Sequence, residues 1–160
     1  MTKKYLDFKF SEFTTNKNFN FSRKKILKIL PEKHLLDAYK VISKWKGYKK
    51  TPLINLRILS KKLRTNKIFY KDESKRFNLK SFKALGGAYA VEKIAKNKKR
   101  ITVSTATAGN HGKSVSWGAK KIGARCKIFI SENVSNSRAL EMEKLGAHVI
   151  RVKGNYEKSL

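Results

Sequence analysis

Lys83 stands in a run of apolar and small neighbours, Ser81-Phe82-Lys83-Ala84-Leu85-Gly86-Gly87, in a chain whose other lysines mostly sit among polar residues. A lysine opening a helix between Phe82 and Ala84-Leu85 meets the positive helix end and partial desolvation. Both disfavour its ammonium form. The neutral amine is a nucleophile that condenses with carbonyl compounds to Schiff bases. Each glycine of Gly86-Gly87 costs a helix roughly 0.8–1 kcal/mol relative to alanine, a cost that close approach of a backbone or ligand would justify. The same spacing also fits a solvated surface lysine, one of 31 in the chain.

A second segment, Thr105-Ala106-Thr107-Ala108-Gly109-Asn110-His111-Gly112, gathers hydroxyl, amide and imidazole groups in a small-residue turn. It falls between a predicted strand and a predicted helix, where open α/β sheets bind ligands. Free backbone N–H groups at such a helix start favour a carboxylate or phosphate. Thr107 adds a hydroxyl, and Asn110 an amide able to bond a phenolate-like oxygen. An ordinary N-cap at Asn110, with His111 in a structural hydrogen bond rather than acting as a base, would use the same residues.

The elements that must position these segments follow from periodicity. Residues 1–30 mix Lys, Asn, Thr and Phe without a clear period and are expected to form an irregular arm, leaving 31–160 as one partial domain that carries both segments. Pro31-Glu32 opens a helix to about Trp45, and Gly47 to Leu53 turns into an extended piece. From Ile68 the pattern alternates as βαβαβαβ. Strands are predicted at 68–71, 101–104, 126–130 and 148–152, and helices at 82–96, 110–122 and 137–145, the last ended by Gly146. Ala84, Ala88, Val91 and Ala95 share one face of the first of these helices, and Val115, Gly118, Ala119 and Ile122 one face of the second. Short connections and brief β-branched strands specify an α/β fold, a parallel sheet with helices on both faces. Asn155-Tyr156-Glu157 reads as the start of another crossover helix, so the chain is expected to be a fragment.

Composition narrows the function classes. The net charge is +28, but residues 1–67 hold 19 basic and 4 acidic side chains and residues 68–160 hold 20 and 7. The charge is therefore spread evenly. Lysines outnumber arginines 31 to 8, whereas bidentate phosphate and base recognition favour Arg, so no specific nucleic-acid partner is expected. No apolar run approaches the roughly 18 residues of a membrane helix, and no secretory leader is evident. With one cysteine, Cys126, read as a core thiol, the expected location is the cytoplasm. No His, Cys or carboxylate set has metal-ligand spacing, so no metal site is expected. Asp72-Glu73 could pair with Lys75 or Arg76, at modest value if exposed.

Taken together, the run from Lys71 through Lys83 to Ala90 and the run from Ser104 to Lys113 resemble the fold-type II pyridoxal-phosphate enzymes. Thr51-Pro52-Leu53 upstream and Lys144-Leu145-Gly146-Ala147-His148-Val149 downstream extend the resemblance from about residue 30 to the C-terminus. Within that family the segments are most similar to the diaminopropionate ammonia-lyases. The resemblance implies pyridoxal 5′-phosphate as cofactor and a small amino acid as substrate, and it leaves a homodimer open. It implies Lys83 as the catalytic, Schiff-base lysine, Phe82 packed near the pyridine ring, and Asn110 bonding the cofactor's 3′-oxygen. Thr107, with neighbouring backbone N–H groups at Gly109 and His111, would hold the substrate carboxylate. The reaction implied is β-elimination, the freed Lys83 removing the α-proton while the cofactor ring stores the electrons. From 2,3-diaminopropionate it yields pyruvate and ammonia.

The sequence departs from that pattern in three places. Ala108 stands where such ammonia-lyases carry Asp, and the Ala-Gly-Asn-His order is similar to threonine and serine dehydratases of the same fold. Asn78-Leu79-Lys80 stands where Gly is usual at one or more positions. The nine glycines include no cluster that could cradle the cofactor phosphate, which leaves the fold-type II architecture incomplete and a non-catalytic remnant as a further alternative.

Overall fold

The computed structural model describes residues 17, 18, 20 and 22–160, and these fall into two compact units divided between Leu35 and Leu36. In the first unit, part of the expected irregular arm is helical: α1 spans Arg23–Ile29, and the Ser22 hydroxyl accepts from the Lys25 N–H at 3.3 Å. Ser is a favoured cap, and Lys, Ile and Leu then propagate a helix. The remainder of that arm, residues 1–16, 19 and 21, is outside the described residues. Helix α2 (Glu32–Ile42) opens after Pro31 as expected and gives way to hydrogen-bonded turns before Trp45.

Within the second unit, β1 (Leu53–Asn55) and β2 (Phe69–Lys71) pair antiparallel, Ile54 opposite Tyr70. This corrects the expectation that residues 68–71 begin the parallel series. The physical reason is local. Helix α3 (Arg57–Lys62), unrecognised in the sequence because Leu56, Ile58 and Leu59 continue an apolar run, folds the chain back. The Leu56 N–H then reaches the Ile68 carbonyl at 2.9 Å.

The parallel sheet is β3 (Thr102–Ala106), β4 (Arg125–Ser131) and β5 (Ala147–Val152), in that spatial order. Val103 lies opposite Cys126, and Ile128 opposite Val149. Helices α4 (Lys83–Ala95), α5 (Asn110–Lys121) and α6 (Asn136–Glu143) follow the predicted positions, and α7 (Tyr156–Ser159) forms the single turn foreseen at the end. Along β4 the side chains alternate: Cys126, Ile128 and Ile130 are buried, while Arg125 and Lys127 are exposed. The buried row joins Val91, Val115, Ala119, Ala139, Met142 and Ala147 in one core. Cys126 is a core thiol as expected; burial pushes its pKa up, against a weaker opposing contact with the Ser116 hydroxyl.

Helices α4 and α5 approach so closely that Gly87 and Gly118 leave no room for a Cβ at their contact. A Cβ on Gly118 would stand 2.7 Å from the Ala88 Cα, and one on Gly87 2.9 Å from the Ser114 Cβ. Replacing Gly118 by Ala gains about 1 kcal/mol of helix propensity but forces two backbones apart, an overpacking cost of about 1–3 kcal/mol. The clash wins because backbone atoms cannot turn aside. Gly86, on the same helix pair, has nothing within 4 Å of its missing Cβ. In urea unfolding, Gly118→Ala is expected to lower stability by about 1–2 kcal/mol and Gly86→Ala to raise it by up to about 1 kcal/mol.

Candidate active site

The predicted site residues lie at the N-terminal ends of α4 and α5. Phe82 is the residue before α4, Lys83 is its first residue, and the Ser81 hydroxyl accepts from the Lys83 N–H at 3.1 Å. That bond satisfies one of the donors a helix start leaves orphaned. From α5, the buried Ser114 hydroxyl donates to the Lys83 carbonyl at 2.7 Å and accepts from the Ala88 N–H at 3.0 Å. A side chain of one helix thus enters the first turn of the other, over Gly87, whose missing Cβ would lie 2.4 Å from that hydroxyl and 3.6 Å from His111 Nδ1. The two predicted segments are therefore neighbours in space.

Lys83 itself is exposed, not partly desolvated as its apolar flanks predicted. Ala84, Gly87 and Ala88 turn inward instead, and Phe82, 58% exposed, lies beside the ammonium with its ring centre 5.3 Å from Nζ. In the second segment, Thr107 continues β3 by donating its N–H to the Phe129 carbonyl at 3.0 Å, and Gly109 precedes α5 with no side-chain cap on the helix end. Asn110 and His111 are exposed. Gly109 and Asn110, with Ala108, line a cleft of about 700 Å³ that reaches across to Arg138 and Glu141 of α6. A charge pair crossing it joins Lys113 to Glu141, and that lysine holds the carboxyl below its ordinary range. Lys83, Phe82, Thr107 and His111 are not among this cleft's lining residues.

These residues fit a carbonyl-bearing aromatic cofactor. Among the described residues neither the Lys83 amine nor the Asn110 amide is taken by a hydrogen bond, and the ring of Phe82 is open to stack. The first turn of α5 offers free N–H donors beside them.

The approach to Lys83 is held by groups that sequence reasoning undervalued. Arg76, expected in a modest surface pair, is buried. Its guanidinium donates to both Glu73 carboxylate oxygens at 2.7 and 2.9 Å, to the Lys49 carbonyl at 2.8 Å and to the Thr51 hydroxyl at 2.9 Å, and Thr51 also bonds Glu73. Buried and bidentate, this pair belongs to the stronger kind of ion pair. Phe77 stacks on Trp117 of α5 at 4.8 Å between ring centres, with Trp45 alongside at 5.7 Å from Phe77. Between Arg76 and α4 the chain adopts left-handed backbone at Phe77, Asn78 and Lys80, with φ of 48°, 59° and 57°. Glycine would adopt this conformation at least cost at 78 and 80, whereas Leu79 between them is right-handed at φ −87°. Ser114, Arg76 and this left-handed run were missed as site-building residues, although Gly86-Gly87 already signalled close approach of a backbone or ligand.

Two outcomes follow from this geometry. Lys80→Gly relieves about 1–2 kcal/mol of left-handed strain against about 0.4–1 kcal/mol of added chain entropy, so equilibrium unfolding should read a net gain of about 0.5–1 kcal/mol. The bond from Arg76, ahead of that from Thr51, holds the Glu73 carboxyl below its ordinary 4.5. A carboxyl lowered on folding stabilises above the unfolded value and loses that contribution as pH falls through the folded one. Glu73→Gln should therefore lower the melting temperature at pH 7, with the difference from the parent shrinking as pH drops below about 4.5.

Comparison with known proteins places the chain in a family. The family model described as "pyridoxal-phosphate dependent enzyme" matches residues 44–160. Diaminopropionate ammonia-lyase of Escherichia coli K12 is 35% identical over 129 residues, covering 69% of this chain and 32% of that protein. A biosynthetic L-threonine dehydratase of Pasteurella multocida is 33% identical over 110 residues, covering 68% of this chain and 21% of its own length. Among solved structures, the E. coli diaminopropionate ammonia-lyase in complex with an aminoacrylate-PLP azomethine reaction intermediate superimposes with a TM-score of 0.72 at 35% identity, covering 76% of this chain and 35% of that one. The chain spans about a third of the length of the curated ammonia-lyases it matches. With a family model matching residues 44–160 and the parallel sheet in the expected order, the chain belongs to the pyridoxal-phosphate dependent enzyme family.

Proposed function

We propose that residues 31–160 carry the reactive-lysine portion of a pyridoxal-phosphate-dependent ammonia-lyase that eliminates the β-substituent of a small amino acid, with 2,3-diaminopropionate as the leading substrate. The observation that carries this reading is the tie between the Lys83 carbonyl and Ser114, which sets the start of α4 beside the start of α5. The similarity to the E. coli ammonia-lyase supports the choice of substrate.

In this reading the cofactor, when bound, supplies an electron sink for the carbanion formed at the substrate α-carbon. The chain's own residues do the rest. Lys83 Nζ, free and exposed, holds the cofactor and then moves the α-proton. Phe82 covers the aromatic ring. The Asn110 amide donates to the ring oxygen, and Thr107 with the N–H groups at Gly109 and His111 orients the substrate carboxylate. Ala108 brings no base to the turn, and this favours a second reading, a dehydratase acting on L-threonine or L-serine. The similarity to threonine dehydratases supports it.

The test is to incubate the chain with pyridoxal phosphate, reduce with borohydride and map the label by mass spectrometry. Alongside it, ammonia release is followed from both isomers of diaminopropionate, L-threonine and L-serine. The label is expected on the peptide containing Lys83 and is lost in Lys83→Ala, whose ammonia release falls by about 10²–10⁴-fold or more. Faster release from L-threonine or L-serine than from diaminopropionate shifts the reading to the dehydratase. A label absent from Lys83 sinks both.

A further inference from the structure

A second cleft, of about 660 Å³, opens at the far end of α4, with Ala95 in its lining. Twelve residues of helix separate Ala95 from Lys83, about 18 Å. Its apolar lining comes from four elements and their ends: Val41 of α2, Tyr89 and Ala95 of α4, Ile101 before β3, and Ile122 after α5. All five are partly buried, so the cleft is walled rather than flat.

Around this lining stand five cations, Lys40, Lys93, Lys96, Lys98 and Arg100, against two carboxylates, Asp37 and Glu92. Glu92 is already engaged, accepting from Trp45 Nε1 at 2.8 Å and lying 3.8 Å from Lys121 Nζ. Among the described residues, Lys40, Lys96, Lys98 and Arg100 make no side-chain ion pair or hydrogen bond. Crowding cations with one unengaged carboxylate is unfavourable unless an anion joins them. The loop that carries them is also strained: Arg100 is held left-handed at φ 54°, two residues after Lys98 and next to Ile101. Such strain in a non-glycine residue gathers at ligand clamps and is sustained by surrounding structure.

We propose that this cleft is a binding site, separate from the Lys83 site, for a small anionic amphipath: an aromatic or branched apolar body carrying one phosphate, sulfonate or carboxylate group. The apolar body packs against Val41, Ile101 and Ile122, beside the Tyr89 ring over which Lys93 Nζ lies at 5.7 Å, while Lys96, Lys98 and Arg100 neutralise the anion. The volume suits one such molecule, since small-ligand pockets span about 300–1,000 Å³ and combine apolar walls with a few polar anchors.

The experiment titrates the 160-residue chain with 1-naphthyl phosphate, 1-naphthol and inorganic phosphate, following backbone and methyl NMR shifts and the heat of binding. The phosphate ester should bind saturably, shift Ile101, Ile122 and Gly123, and bind at least about tenfold more tightly than either half-probe. Lys96→Glu combined with Arg100→Glu should weaken it by about tenfold or more, as should raised ionic strength. Lys98→Glu alone, a single exposed change that leaves the loop backbone intact, should weaken it in the same direction. Lys153→Glu, away from the cleft, and Lys83→Ala should leave binding unchanged. The proposal is overturned if naphthol binds as well as its ester, if Lys153→Glu weakens binding as much as the cleft variants do, or if the ester fails to bind. Loss of binding in Lys83→Ala would place the ligand in the active site and overturn it too.

Discussion

Contact between α4 and α5 at backbone distance is the constraint from which the rest of the site follows. Gly118 against Ala88, and Gly87 beneath the Ser114 hydroxyl, remove the side chains that would hold two helices at their usual separation. Interaxial distances are ordinarily about 8–10 Å and depend on the residues at the contact. Small residues here allow Ser114 to bond both the Lys83 carbonyl and the Ala88 N–H. Its hydroxyl is fully used within the protein, so burying it carries no unsatisfied-polar penalty. The helix that begins with Lys83 is thereby fixed against the helix that begins with Asn110, and α5 is in turn fixed to the sheet through Val115 and Ala119.

The segment leading into α4 is organised on the opposite principle. There the chain accepts left-handed residues and a buried charge, and surrounding bonds compensate. Arg76 would be costly in its buried position without partners. It has the Glu73 carboxylate, a carbonyl and a hydroxyl, and its guanidinium also lies over Tyr48 and Phe77 at 5.7 and 5.8 Å. The aromatic group of Trp45, Phe77 and Trp117 connects this segment to α5. The aromatic route ends on both helices, on α5 through Trp117 and on α4 through the Trp45 bond to Glu92, while the polar one ties the segment back to Lys49 and Thr51.

Much of this was legible in the sequence, for physical reasons that differ between elements. Helices α4 and α5 and strands β3 to β5 were readable because their apolar residues repeat with the period of the element, and tertiary packing reinforces that period. Lys83 and Asn110 were readable because their neighbours are unusual in so lysine-rich a chain. The antiparallel pairing of β2 was not readable, since a three-residue strand such as Phe69–Lys71 has no period that distinguishes parallel from antiparallel partners. Nor was the role of Ser114: a serine within a helix gives no sign of which carbonyl on another helix it will meet. The exposure of Lys83 was misjudged because flanking residues in a helix point in different directions, so Ala84 can be buried while Lys83 beside it is not.

Cys126 is the single cysteine of the chain and lies on the central strand of the parallel sheet, 4% exposed, with its thiol pushed toward the unreactive protonated form by burial. Alkylating reagents need both access and thiolate, and the folded core withholds both. Its modification rate therefore counts the openings of the β3-β4-β5 core alone, without engineering a probe. Opening of the core and fraying of α7 or the β1–β2 hairpin become separable in one time course, because only the first exposes sulfur.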